Sequence, residues 1–276
     1  MSESHAAFSP VALVTGCSSG IGRALALALL QAGYQVIATA RQPHALADLA
    51  AAGIQTMALD VDDPTQITAV LQQISAQQQR LDLLINNAGF GAIGPLFDQN
   101  GSTLQQQFQT NVFALVELTR QALPLLRQSQ GTVVNIGSVS AKLVTPFAGA
   151  YCASKAAVHA LTQAMQMELA PFKIRVLLAI TGAINTGFAD RAQREAEQAL
   201  AAASWWAPYQ KGLLKRARAS QNRPTPVDRY ANALVQAIQT PGLTQVRLGS
   251  GSLLLPILAL LPQRLLQWIL RRSFLQ

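Results

Sequence analysis

Short apolar runs alternate with longer stretches of helical spacing along the first two thirds of the chain. The runs fall at Val11–Val14, Gln35–Ala40, 56–59, 81–86, 132–136 and 175–180. Mostly apolar and too short for helices, they predict strands covered on both faces, as in a parallel sheet. The intervening stretches, among them 23–30, predict the covering helices. The alternation predicts an α/β chain whose doubly wound parallel sheet carries helices on both faces. No repeat of solenoid length interrupts it. The glutamine-rich pieces 72–79 and 105–109 predict polar helix faces, since glutamine is a good helix former, and carry no functional reading.

Composition narrows this to one unit. A chain of 276 residues, half of them hydrophobic, can bury one large core and needs no second domain. A single domain over 1–276 is expected, divided into a core at 8–185, a substrate lid at 186–226 and a tail at 253–276. The opening MSESHAAFSP has no basic segment followed by an apolar core, so no secretory signal and a cytoplasmic location are expected. The cysteines are Cys17 and Cys152 alone, which predicts neither a disulfide framework nor a metal site. Both read as small space-fillers placed where thiol modification would inhibit.

Two local patterns carry chemistry. Tyr151 and Lys155, four residues apart in YCASK, share one helix face. A free phenol titrates at about 10, and a neighbouring cation favours the phenolate, so the pair predicts proton exchange with a substrate oxygen. The run TGCSSGIG, from Thr15 to Gly22, stands between a strand and a helix start. Glycines there permit a tight turn, and the helix N-terminus offers free amides to a pyrophosphate, although the spacing is G-x-x-x-G-x-G. The second strand ends Thr39-Ala40-Arg41 with no carboxylate. A guanidinium at that place is able to fork onto a 2′-phosphate, the alternative being that Arg41 merely caps the strand end in solvent.

Together these motifs resemble the short-chain dehydrogenase/reductase family. Its T-G-x-x-x-G-x-G appears as Thr15 to Gly22, which puts Gly16, Ser18, Ser19, Gly20, Ile21 and Gly22 at the cofactor. Its N-N-A-G appears as Asn86 to Gly89, adding Asn87, Ala88 and Gly89, and Asp60 with Val61 matches the pair set against the adenine. The active-site Asn, Ser, Tyr and Lys match Asn111, Ser138, Tyr151 and Lys155 in order and spacing. The likeness spans 11–186 and implies a Rossmann-like fold, hydride transfer between a nicotinamide and a carbonyl or carbinol carbon and, through likeness to members bearing an arginine where Arg41 stands, NADP(H) in preference to NAD(H). In it Tyr151 is the general acid or base, Ser138 orients the oxygen, and Lys155 also binds the nicotinamide ribose. Asn111 holds a water in the proton path. One departure stands out: the family's Pro-Gly is Thr181-Gly182 here, with Ile184 and Thr186 retained on the nicotinamide side. A homodimer or homotetramer is expected.

Substrate class rests on the remainder. Phe188, Trp205, Trp206 and Tyr209 fall in the lid, where they line an apolar pocket or pack a helical hairpin onto the core. Residues 1–200 carry 11 basic and 12 acidic side chains, whereas 201–276 carry 10 and 1, so the net charge of +8 is C-terminal. The tail is too short and too broken by Pro256 and Pro262 to span a bilayer. Arg264, Leu265, Leu266, Trp268, Ile269, Arg271 and Arg272 form a basic amphipathic pattern. Three roles stay open for it: peripheral contact with anionic lipid, a cover over the substrate pocket, or a subunit contact. No nucleic-acid partner is expected, because no reading motif accompanies the charge. The expected activity is NADP(H)-dependent turnover of a small lipophilic ketone or alcohol, in the style of family members handling steroids, retinoids or acyl-dihydroxyacetone phosphate. A reductase of small or thioester-linked carbonyls is the alternative among enzymes. A cofactor-sensing interaction protein is the alternative outside them, against which the intact Asn, Ser, Tyr and Lys set argues.

Overall fold

The computed structural model describes residues 9–188, 190, 192, 194 and 204–276; segment 1–8 and the lid positions 189, 191, 193 and 195–203 lie outside the described residues. The apolar runs form six parallel strands, β1 (Val11–Val14), β2 (Gln35–Ala40), β3 (Gln55–Ala58), β4 (Leu83–Asn86), β5 (Thr132–Ser138) and β6 (Arg175–Thr181). A seventh, β7 (Gln245–Leu248), pairs parallel to β6, and the order is β3-β2-β1-β4-β5-β6-β7. Sequence reading missed β7 because it is an edge strand: its Gln-Val-Arg-Leu is half-exposed and shows no buried run.

The helices connecting these strands are α1 (Gly20–Gln31), α2 (Ala47–Ala51), α3 (Pro64–Gln78), α4 (Gly101–Phe108), α5 (Ala114–Ser129) and α6 (Gly149–Leu169). Because side chains alternate across a strand, β1 feeds two cores. Ala12 and Val14 pack with Leu25 and Leu29 of α1 and with Leu234 of the helix Val227–Gln239. Val11 and Leu13 pack on the opposite face with Ile67 and Val70 of α3 and Leu118 and Leu126 of α5.

The sheet reverses its winding at β1, between β2 and β4. Connections leave in opposite directions there, so a crevice opens at the carboxyl ends of the strands. β5 runs two residues beyond the expected 132–136, which carries Ser138 to that edge. Between α4 and α5 the chain widens into a π-helical turn, Gln109–Phe113, containing Asn111. Among the described residues no helix is long and apolar enough to cross a membrane, and no cluster of His, Cys, Asp or Glu is arranged to hold a metal.

Candidate active site

One cleft of about 1190 Å³ runs from the glycine loop past the end of β5 to the C-terminal helices. At its nucleotide end the backbone turns through Gly16 at φ +72°, and a Cβ at Gly22 would run into the Gly16 carbonyl oxygen. Only glycine lets α1 start so close beneath the loop. Thr15, which sequence reading left out of the site, fastens the turn: its hydroxyl donates to the Ile85 carbonyl at 3.2 Å and accepts the Asn87 and Ala88 amides, each at 3.0 Å. The Asn87 side chain answers by donating to the Thr15 carbonyl at 2.8 Å. Below this, Asn86 donates to Asn135 at 2.9 Å and Asn135 to Thr162 at 3.0 Å, a buried ladder tying β4, β5 and α6 together.

Gly16, Ser18, Ser19, Gly20, Ile21, Arg41, Asp60, Val61, Asn87, Ala88, Gly89, Ile184 and Thr186 all border the cleft, whereas Gly22 lies behind the loop. The Thr181 hydroxyl, where the family pattern has proline, hydrogen-bonds the buried Tyr230 hydroxyl at 2.7 Å. The substitution thus gains a polar partner while Ile184 and Thr186 keep their places on the wall.

Ser138, Tyr151 and Lys155 also border the cleft together. Asn111 does not. Its amide donates to the Phe90 carbonyl at 2.9 Å and to Ser154 at 3.2 Å, and its oxygen accepts the Phe90 amide at 3.1 Å, so the side chain braces the wall from behind. The side chain thus sits beside the Tyr151 helix, behind the cleft wall rather than on it. The Tyr151–Lys155 electrostatics differ from expectation. Burial raises the Tyr151 pKa, and the opposing influences are the Ser138 hydrogen bond and the Arg216 charge. The Lys155 ammonium is turned to the Ile136 carbonyl at 2.7 Å, and burial lowers its pKa to about 8.

His159 is a residue the sequence reading missed. It stands one further turn along the face shared by Tyr151 and Lys155, and its Nε2 accepts the Ser138 amide at 3.2 Å. Burial and the nearby Lys155, Lys142 and Arg247 charges lower its pKa to about 4, so the ring is neutral and fixes the backbone of Ser138. The recurrence at 151, 155 and 159 was the available signal.

The aromatic lid residues separate by role. Phe188 borders the cleft, its ring 5.7 Å from that of Tyr151. Trp206 packs instead with Phe147, Leu213 and Phe274, and Trp205 is 85 % exposed. Of the tail, Leu255, Leu258, Ile269, Leu270, Ser273 and Phe274 border the cleft. The helix Gln263–Phe274 is seated on the helix Gln210–Ala217, where a Cβ at Gly212 would overlap the Phe274 carbonyl and Lys215 donates to the Ser273 carbonyl at 3.0 Å. The inner face of the tail thus forms part of the cleft wall. Both cysteines are buried, and burial pushes the Cys17 thiol up to about 12, which removes the expectation of ready thiol modification.

A family profile described as short chain dehydrogenase matches residues 10–197. The NADPH-dependent 1-acyldihydroxyacetone phosphate reductase of Saccharomyces cerevisiae is 33% identical over 244 residues, covering 86% of this chain and 81% of that one. The 3-ketodihydrosphingosine reductase of Bacteroides thetaiotaomicron is 35% identical over 181 residues, covering 65% and 66%. Among solved structures, a short-chain dehydrogenase from Streptomyces avermitilis superposes with a TM-score of 0.80 at 33% identity, over 91% of both chains.

Proposed function

The chain belongs to the short-chain dehydrogenase family, and from that premise we propose that it is an NADP(H)-dependent oxidoreductase reducing a lipophilic ketone, with Tyr151 as proton donor. The observation that carries this is the continuity of the cleft, from Arg41 and the glycine turn, past Ser138 and Tyr151, to the apolar side chains of the tail. The residues present fit the dinucleotide. The turn at Gly16 leaves a cradle for a pyrophosphate, Arg41 offers its fork to a 2′-phosphate, and Asp62 has a buried oxygen without a hydrogen-bond partner at the same end.

The cofactor supplies hydride; the protein handles the proton. A phenol is protonated at neutral pH and so able to donate to a ketone oxygen, while the Ser138 hydrogen bond and the Arg216 charge oppose the rise that burial imposes on its pKa. Ser138, held by His159 through its amide, orients that oxygen beside the phenol. Lys155, beside the phenol on the helix face, would bind the ribose. Asn111, fixed against Phe90, would hold a water in the proton path.

Relatives named for acyldihydroxyacetone phosphate and ketodihydrosphingosine support a lipophilic substrate over a small or thioester-linked one, as does the wall built by Leu255, Leu258, Ile269 and Leu270. The protein works as one domain, with Phe188, the helix Gln210–Ala217 and the tail bordering the substrate end. The tail's outer face, with Arg264, Arg271 and a half-exposed Trp268, suits peripheral contact with anionic lipid. Assembly into a dimer or tetramer would cover exposed apolar side chains such as Phe113 and Met167. The test is a turnover screen of long-chain and short-chain ketones with NADPH. Turnover of long-chain ketones supports the proposal; turnover confined to short or thioester-linked carbonyls would sink it.

A further inference from the structure

The substrate end of the cleft contains a cation that the proton chemistry does not require. Arg216, on the helix Gln210–Ala217, is half-buried and borders the cleft with Thr145, Ser140 and Ser220. Its Nε donates to the Thr145 hydroxyl, which fixes the plane of the guanidinium. Among the described residues no carboxylate meets its terminal nitrogens: the ion pairs are Arg23–Asp48, Arg80–Asp82 and Arg120–Glu117. A partly desolvated guanidinium without a counter-ion is unfavourable until an anion reaches it.

Its position relative to the chemistry narrows the ligand. Arg216 borders the same cleft as Tyr151 and Ser138, and its charge favours the phenolate, so an anion on Arg216 and a carbonyl held at Tyr151 and Ser138 share one enclosure. Leu255, Leu258 and Ile269 offer hydrocarbon contact to the rest of the molecule. The hydroxyls of Ser140 and Ser220 suit the three oxygens of a phosphate better than the two of a carboxylate. We propose that Arg216, oriented by Thr145, is the residue that recognises an anionic group on the substrate, and that the enzyme selects long-chain ketones bearing a phosphate monoester beside the carbonyl. This rests on the reductase reading above and names its substrate class.

The experiment compares three ketones of one chain length, carrying a phosphate monoester, a free hydroxyl or a carboxylate beside the carbonyl, with the unmutated protein, Arg216→Gln and Arg216→Lys at saturating NADPH. The unmutated protein should favour the phosphate ketone. Arg216→Gln should lower kcat/KM for it about ten- to a hundredfold more than for the hydroxy ketone, with Arg216→Lys between. Any loss acting through Tyr151 falls on all three ketones and cancels in that ratio. Glycerol 3-phosphate should compete with the phosphate ketone in the unmutated protein and much less in Arg216→Gln, and unchanged NADPH dissociation constants verify that both variants fold. Equal losses on phosphate and hydroxy ketones, no loss at all, or a preference for the carboxylate ketone would overturn the assignment while leaving the reductase reading intact. Failure of the unmutated protein to reduce any of the three overturns both.

Discussion

The two walls of the cleft are held by different means. On the nucleotide wall, side chains from distant strands are knitted by short buried hydrogen bonds: Thr15 to Asn87, Asn86 to Asn135, His159 to Ser138. On the substrate wall, the helices Gln210–Ala217 and Gln263–Phe274 meet through Gly212 and Phe274, with half-buried apolar side chains and few polar ties. Each wall has a glycine demanded by close approach, Gly22 under the loop and Gly212 under the tail. The first closes a turn that must present amides to a fixed anion; the second only lets two helices touch. A wall that aligns reacting atoms requires hydrogen-bonded rigidity, whereas one that encloses hydrocarbon can rely on contact.

The sharpest way to break this contrast is to remove the reacting atom from the rigid wall without disturbing it. Tyr151→Phe should lower ketone turnover at least about a hundredfold, the low end for losing a general acid. NADPH affinity should stay as it was, because the phenyl ring keeps its packing against Phe188. Steady-state turnover and an equilibrium titration separate the two, and near-normal turnover would remove Tyr151 from the proton step.

His159 tests whether the rigidity has an energetic signature. Its folded pKa of about 4 lies below the ordinary value of 6.5, so the unfolded chain binds the extra proton as pH falls between those values. Folding stability should therefore drop from about pH 6.5 toward pH 4, by up to roughly 3 kcal/mol from this group. His159→Gln keeps an acceptor for the Ser138 amide and should flatten that part of the profile in urea unfolding. An unchanged slope would mean that the imidazole is not held neutral in the fold.

The same contrast governs what could be read from sequence. Motifs that fix backbone geometry are contiguous and compositionally constrained, so the glycine turn, Arg41, Ser138, Tyr151 and Lys155 were legible, and all but Gly22 and Asn111 of the expected set reach the cleft. Gly22 lies beneath the loop, and the Asn111 side chain is turned to Phe90 and Ser154, a direction the motif does not reveal. Thr15 acts through partners some 70 residues away, a separation that periodicity does not register, whereas the recurrence at 151, 155 and 159 puts His159 on the face of the site without revealing its bond to Ser138. Edge strand β7 lacked a buried run. On the substrate wall, Phe188 and Trp206 looked alike in sequence, but one faces Tyr151 and the other packs beneath the lid with Phe147.

A smaller effect sharpens the nucleotide side. Arg41 is exposed at the end of β2, with no acid occupying that strand end. NADPH should bind about tenfold tighter than NADH, and Arg41→Ala should erase most of the difference, since a charge-assisted contact contributes about 1.5 to 3 kcal/mol, moderated here by solvent. Equal dissociation constants in the unmutated protein would remove Arg41 from phosphate recognition.

The smallest effect concerns the outside of the substrate wall. Leu266, Ile269, Leu270, Ser273 and Phe274 recur on the inner face of the tail helix, which leaves Arg264, Leu265, Trp268 and Arg271 outward; Leu254 and Ile257 are exposed as well. Because the inner face borders the cleft, deleting the tail would confound lipid contact with loss of the pocket. Charge reversal on the outer face avoids that. Arg264→Glu with Arg271→Glu should reduce sedimentation with anionic vesicles several-fold, as each basic residue near such a surface contributes about 1 kcal/mol. Ketone turnover in detergent should change little, and salt should release the unmutated protein because exposed charges are screened within about 10 Å at 0.1 M. Neutral vesicles should hold less of it than anionic ones. If the unmutated protein ignores anionic vesicles even at low salt, the outward apolar stripe belongs to a subunit contact, and sedimentation equilibrium of the same double variant would then report a smaller assembly.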